Sequence, residues 1–102
     1  MTLPDVGGRP LDVGLAVRGR RPALLRLQAE VCGPGRLDPD DLLHRNRALA
    51  LARFAQTRAG VVWIQADVPA AAVDAATLDA ALGLLASAAE AARVAAGDGS
   101  RP

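Results

Sequence analysis

The amino-acid sequence predicts an α+β fold in which helices cover one face of a single antiparallel sheet. Two pairs of segments alternate between apolar and polar residues, and a turn joins the members of each pair. Each pair is followed by a segment with helical features. The predicted order of elements is therefore ββαββα.

We expect one α+β domain over residues 11–96. Residues 1–10 are rich in Gly and Pro and are expected to be a flexible lead-in, and residues 97–102 a disordered tail. Just over half of the 102 residues are apolar, yet Phe54 and Trp63 are the only aromatic ones. The core must be built from Leu, Val and Ala, and small domains with such thin cores often gain stability by association.

The first hairpin is expected over residues 11–32, with a turn at Pro22. One face of its two strands carries Leu11, Val13, Leu15, Val17, Leu25, Leu27, Ala29 and Val31. The opposite face of the second strand carries Arg26, Gln28 and Glu30. This period of two indicates half-buried strands.

A short helix is predicted over residues 38–46. Asp38 suits the N-cap, Pro39 suits the first helical position, and two aspartates follow at the positive end of the helix dipole. Leu42 and Leu43 are expected to dock this helix on the sheet.

The second hairpin spans residues 50–69 and turns at Gly60, which tolerates positive φ. Its predicted core face carries Ala50, Ala52, Phe54, Gln56, Val62, Ile64, Ala66 and Val68. Its opposite face carries Leu51, Arg53, Ala55, Val61, Trp63, Gln65 and Asp67.

The last helix is predicted to begin after an N-cap at Asp74. Its apolar stripe has helical spacing and comprises Leu78, Ala81, Leu82, Leu85, Ala89 and Ala92. The side predicted to face solvent comprises Asp79, Ser87, Glu90 and Arg93. Further small and apolar residues widen the stripe, and their small size would let another helix or strand pack closely against it. They are Ala80, Leu84, Ala88, Ala91 and Ala95.

Catalytic and metal-binding patterns are not evident in the sequence. Cys32 and His44 are single residues with no orienting partner, and the Gly-rich segments match no phosphate-binding loop. Ligands at metal-binding spacing are also missing. We therefore expect a non-enzymatic protein with no cofactor and no metal.

The charge pattern does not favour nucleic acid as the partner. The net charge is +1, and all twelve basic residues are Arg. Arg18, Arg20 and Arg21 cluster at the first turn, but the aromatic residues that stack on bases are scarce. A basic nucleic-acid-binding domain stays a lesser alternative.

A cytoplasmic location without a membrane span is expected. Cys32 is the only cysteine, which excludes an intrachain disulfide. No apolar stretch approaches the roughly 20 residues that cross a bilayer. The first ten residues lack the pattern of a secretory signal.

Trp63 is the leading candidate for a partner contact, because alternation places it on the polar face of its strand. Two interpretations stay open: the stem of Arg53 covers it, or it anchors a partner polypeptide. In the second case the partner-binding surface comprises Trp63, Arg53, Arg26, Leu24 and Gln65.

Residues 42–92 resemble the YbjN family and the related class I type III secretion chaperones. The matching features are a Leu-Leu-x-x-Asn segment ending at Asn46, an ARFA strand from Ala52, a GVVW-x-x-A-D-x-P strand from Gly60, and a long helix of Asp-Ala-x-x-Leu type. The resemblance implies a small α+β homodimer that binds another polypeptide without chemistry. The opening helix of these chaperones has no counterpart in residues 1–10. A regulatory or sensory module within a larger complex is the alternative function.

Overall fold

The computed structural model describes residues 1–97 and consists of a five-stranded antiparallel sheet and two α-helices. The elements are β1 Thr2–Leu3, β2 Leu11–Arg18, β3 Leu24–Cys32, α1 Pro39–Ala48, β4 Ala52–Gln56, β5 Val62–Pro69, a 3-10 turn Ala70–Ala72 and α2 Ala75–Ala95. The strands are arranged in the order β1-β2-β3-β5-β4. The predicted α+β class is confirmed, and β1 is an additional strand. Most of the predicted tail, residues 98–102, lies outside the described residues.

Residues 1–10 lie against the edge of the sheet, although the sequence predicted no element there. Thr2 pairs with Asp12, and the Met1 amine and carbonyl bond the carbonyl and N–H of Val13 at 3.0 and 2.7 Å. Val6 is buried in the core. The segment satisfies backbone groups of β2, which composition alone does not reveal.

The core lies between the sheet and the helices. Its strand residues are Leu11, Val13, Leu27, Ala29, Val31, Ala52, Phe54, Val62, Ile64, Ala66 and Val68. These positions confirm the alternation predicted for β3 and β5. Gly60 has the expected positive φ of 92° at the second turn.

Five residues predicted for the core face are exposed instead: Leu15, Val17, Leu43, Ala50 and Gln56. Leu15 and Val17 share a face with Val13 but are 45% and 67% exposed, since α2 packs chiefly on β3, β4 and β5. Leu43 is also exposed, whereas Leu42 is buried. One residue is a 100° step around a helix, and the short helix α1 turns Leu42 toward the core and Leu43 toward solvent.

Both helices start at the predicted caps. The Asp38 carboxylate accepts from the N–H of Asp40 at 2.8 Å, with Pro39 in the first position. The Asp74 carboxylate accepts from the N–H of Thr77 at 2.7 Å. α1 runs two residues beyond the predicted end, to Ala48.

Arg93 corrects the sequence prediction for α2, because it is buried and not exposed to solvent. Its side chain is 1% exposed, and its guanidinium donates to the carbonyls of Val31 at 2.8 Å and Val6 at 2.9 Å. Further carbonyls at 3.1–3.2 Å belong to Arg9, Pro10 and Glu30. Position 93 follows Ala89 by four residues and so lies on the buried stripe. Its charge alone suggested a solvent-facing side chain.

α2 corrects the expectation that no apolar stretch approaches the length needed to cross a bilayer. The helix has 21 residues with a mean hydropathy of 1.2, which is long and apolar enough to cross a membrane by these criteria. A helix packed on a sheet meets the same criteria. Here Ala81, Leu85, Ala88, Ala89 and Ala92 are buried.

Candidate functional site

The sheet face opposite α2 is the candidate functional site, and we call it the helix-free face. Its residues are Asp12, Gly14, Ala16 and Arg18 of β2, Leu24, Arg26, Gln28 and Glu30 of β3, Arg53 and Ala55 of β4, and Trp63, Gln65 and Asp67 of β5. Each alternates with a residue of the core face.

Trp63 lies half-buried near one end of the helix-free face. Its neighbours across the sheet are Glu30 on β3 and Ala55 on β4. Because Ala55 is small, the indole is not covered from the β4 side by its direct neighbour. A depression of about 260 Å³ opens beside it. The lining residues are Gln28, Ala55, Gln56, Thr57, Trp63 and Gln65.

Asp67 joins two arginines near the other end of this face. The Nε and Nη2 atoms of Arg26 donate to its two carboxylate oxygens at 2.8 and 3.1 Å, and Arg53 Nη2 lies 3.5 Å from Oδ2. The hydrogen bond from Arg26 lowers the pKa of Asp67 against the opposing effect of burial, and it raises the pKa of Arg26. The lowered pKa favours the ionised carboxylate, which holds the Arg26 guanidinium through both oxygens.

Arg53 is not the direct neighbour of Trp63 in the sheet. Its partner across β5 is Gln65, and its guanidinium is directed to Asp67. Asp67 lies four residues along β5 from Trp63, a distance of about 13 Å in a strand. In the structure the guanidinium is directed toward Asp67.

The five predicted contact residues are not equally close together. Trp63 and Gln65 line the depression, and Arg53 is opposite Gln65. Arg26 lies next to Gln28 on this face of β3 and is opposite Asp67. Leu24 is opposite Pro69, at the far end of the β3–β5 pairing.

Four lining residues were not among the predicted contacts: Gln28, Ala55, Gln56 and Thr57. Gln28 faces Gln65 directly across β3 and β5, and Gln56 and Thr57 lead into the turn. The polar alternation of β3 placed Gln28 on the correct face. Its position beside Gln65 depends on strand register, which the sequence does not specify.

The charges of the helix-free face balance within the described strands. Three arginines, Arg18, Arg26 and Arg53, face the same side as three acidic residues, Asp12, Glu30 and Asp67. A surface that binds a phosphate backbone needs an excess of positive charge. The face has none.

Cys32 and His44 lie apart from the helix-free face. Cys32 is fully buried at the end of β3, and His44 is exposed on α1. Within residues 1–97 there is no group of three or more His, Cys, Asp or Glu side chains that would hold a metal ion.

The helix-free face therefore combines a half-buried tryptophan, a depression lined by amides and a balanced set of charges. No family model, no curated protein and no solved structure matches the chain.

Proposed function

We propose that the chain is a non-enzymatic protein-binding module of the YbjN and type III secretion chaperone type. It binds a partner polypeptide on the helix-free face, acts in the cytoplasm and works as a homodimer. The observation that carries this proposal is the position of Trp63, the only tryptophan, at the wall of a 260 Å³ depression on the sheet face opposite α2.

The depression offers two kinds of contact to an extended polypeptide. The indole of Trp63 supplies a large and rigid apolar surface, the usual character of an interface anchor. The amides of Gln28, Gln65 and Gln56 carry both donors and acceptors, which match the N–H and C=O groups of a peptide backbone. An apolar side chain of the partner would enter the depression while its backbone bonds the amides.

The Asp67 cluster gives the partner a direction along the sheet. Arg26 bonds both carboxylate oxygens of Asp67, and Arg53 lies beside the same carboxylate, so their positive charges are on one side of the depression. Glu30 stands at the opposite side, next to Trp63. Charged groups placed in this way contribute to orientation and specificity more than to affinity.

The proposal is tested by affinity co-purification from the native host with wild type and Trp63→Ala. Leu84→Ala is the matched control, since Leu84 is an exposed apolar residue of α2 on the other side of the molecule. Nuclease is added to half of each sample. We expect one protein near stoichiometry with wild type and Leu84→Ala, insensitive to nuclease, and its loss with Trp63→Ala.

A binding measurement with synthetic segments of the enriched protein completes the test. Truncation of an interface anchor typically weakens binding by about 30-fold or more. In wild type, Trp63 also serves as the fluorescent probe, because its emission shifts to the blue when a bound segment covers the indole. Binding by Trp63→Ala, which has no tryptophan, is measured by calorimetry. Equal binding by Trp63→Ala, or a signal that nuclease abolishes, would contradict the proposal.

A further inference from the structure

The two edges of the sheet are closed to different extents. At the β4 edge, the Asn46 side chain of α1 bonds both backbone groups of Phe54. At the β2 edge, β1 and Met1 cover positions 11–13 only. Positions 14–18 have no strand beside them on the outer side within the described part of the chain.

The backbone groups of Leu15 and Val17 point outward along this open edge. Val13 exchanges both of its backbone hydrogen bonds with Met1 on the outer side. In an antiparallel strand, the direction of these groups alternates from residue to residue. Leu15 and Val17 therefore direct their N–H and C=O groups outward, whereas Gly14 and Ala16 bond β3.

The side chains of the same two residues form an apolar strip. Leu15 and Val17 are 45% and 67% exposed on the part of the helix-bearing face that α2 does not cover, and half-buried Leu25 lies beside Val17. The open segment contains no proline, and its one charged residue is Arg18 at its end.

We propose that the open edge of β2 pairs with the β2 edge of a second copy of this chain. The pairing is antiparallel about a two-fold axis at Ala16, with Leu15 opposite the partner's Val17. Every outward group in the register then has a partner, which forms four hydrogen bonds. The four apolar side chains cover one another on the helix-bearing side. This interface deepens the homodimer part of the proposed function and rests on it.

Charge complementarity identifies the occupant as a second copy. In this register Arg18 lies opposite the partner's Gly14 and diagonal to the partner's Asp12, about 7–8 Å away between strands. Gly14 has no side chain, which leaves room for the guanidinium to reach the exposed Asp12 carboxylate. The two-fold axis produces this ion pair twice.

The ends of the open segment also fit a second copy. Gly19 has a φ of 75° and turns the chain out of the strand just after Arg18. The strand thus ends where β1 of the second copy begins. The open parts of the two edges, positions 14–18, therefore face each other, and the covered part of each edge lies beside the turn that follows the other strand.

The mass of the protein in solution tests this interface. Light scattering at rising concentration is expected to show twice the 10.5 kDa protomer mass for wild type. Val17→Lys places a charge in the apolar strip at an exposed position, and is expected to reduce the mass to that of a monomer with an unchanged circular dichroism spectrum. Leu84→Lys introduces the same charge on α2 and is expected to leave the dimer intact.

Two measurements separate this register from other modes of association. The amide protons of Leu15 and Val17 are expected to exchange slowly only at concentrations that favour the dimer, whereas that of Ala16 is protected throughout. Arg18→Asp is expected to weaken the dimer by about tenfold, and Asp12→Arg combined with Arg18→Asp to restore it.

The inference is overturned by a wild type that stays monomeric at high micromolar concentration. It is also overturned by a dimer that Leu84→Lys dissociates and Val17→Lys does not. Peptide binding at Trp63 is measured separately on the Val17→Lys variant. A monomeric wild type that still binds its polypeptide would refute the edge pairing and leave the binding part of the proposed function standing.

Discussion

Asn46 of α1 forms two hydrogen bonds with the backbone of Phe54 in β4. Its amide oxygen accepts from the Phe54 N–H at 2.6 Å, and its amide nitrogen donates to the Phe54 carbonyl at 3.1 Å. The side chain therefore takes the place of a neighbouring strand at this point of the edge. One residue both fixes α1 to the sheet and closes the edge.

Asn46→Ala is expected to destabilise the protein, because it leaves both backbone groups of Phe54 without their partner. Unsatisfied, partly buried backbone groups cost about 1–3 kcal/mol in free energy of unfolding. Urea denaturation followed by circular dichroism measures the loss. Arg47→Ala, at an exposed neighbour in the same helix, is the control and should change the stability little. Equal stability of the two variants would argue against the edge-closing role.

Local signals in the sequence predicted most of the elements. The caps at Asp38 and Asp74 depend on side chains within three residues of the helix start, so they are visible in the sequence. The alternation around Phe54 and Ile64 indicated which face of the second hairpin is buried. The same period of two placed Trp63 on the polar face of its strand.

Features that depend on distant parts of the chain were not predicted. β1 forms because its backbone pairs with the edge of β2 near Asp12. Nothing in the sequence of residues 1–10 indicates this pairing. The alternation predicted Leu15 and Val17 to be core residues. They are exposed because the area of the sheet that α2 covers depends on how the helix packs, which the sequence of β2 does not specify. Gln28 lies opposite Gln65 because of the register between β3 and β5, which the sequence does not specify.

Arg93→Met is expected to be among the most destabilising single substitutions. Methionine fills a similar volume but has no donor, so the carbonyls that Arg93 bonds, including Val6 and Val31, lose that partner inside the protein. The loss is expected to be at least about 3 kcal/mol, because hydrogen bonds to a charged group contribute more than neutral ones. Chemical denaturation measures it.

Arg93→Lys keeps the prediction testable if the methionine variant does not fold. The ammonium group keeps the charge and three donors but lacks the fork that reaches both Val6 and Val31. Its stability should lie between those of wild type and the methionine variant. Val94→Ala is the control at an exposed neighbouring position. A fully stable methionine variant would show that the buried guanidinium contributes little.

Asp74→Ala is expected to loosen the first turn of α2. The Asp74 carboxylate accepts from both the N–H and the hydroxyl of Thr77, at 2.7 and 2.6 Å, and these bonds lower the pKa of Asp74. Hydrogen exchange at Thr77 and Leu78 should become faster, and the melting temperature should fall by a few degrees. Asp74→Asn retains an acceptor at the cap and should behave like wild type. Unchanged exchange in Asp74→Ala would contradict the capping role.

The stability of the protein should fall in acid partly because of Asp67. Its pKa in the folded protein is lowered from the ordinary value of 3.8, chiefly by the hydrogen bond from Arg26. A lowered pKa means that the folded state binds the proton less readily than the unfolded state. The contribution is therefore complete above pH 3.8 and is lost as the pH falls through the lowered pKa. Arg26 stays protonated throughout this range.

Asp67→Asn removes this titration while keeping the size of the side chain. The variant is expected to be less stable than wild type at neutral pH, and the difference should shrink as the pH is lowered through the acid range. Urea midpoints measured at several acidic pH values test this, with Asp79→Asn as the control for loss of an exposed carboxylate on α2. A difference between Asp67→Asn and wild type that stays constant down to the lowest pH would mean that Arg26 does not stabilise the ionised carboxylate. A difference that closes would assign part of the acid sensitivity to the charge cluster beside the candidate binding surface.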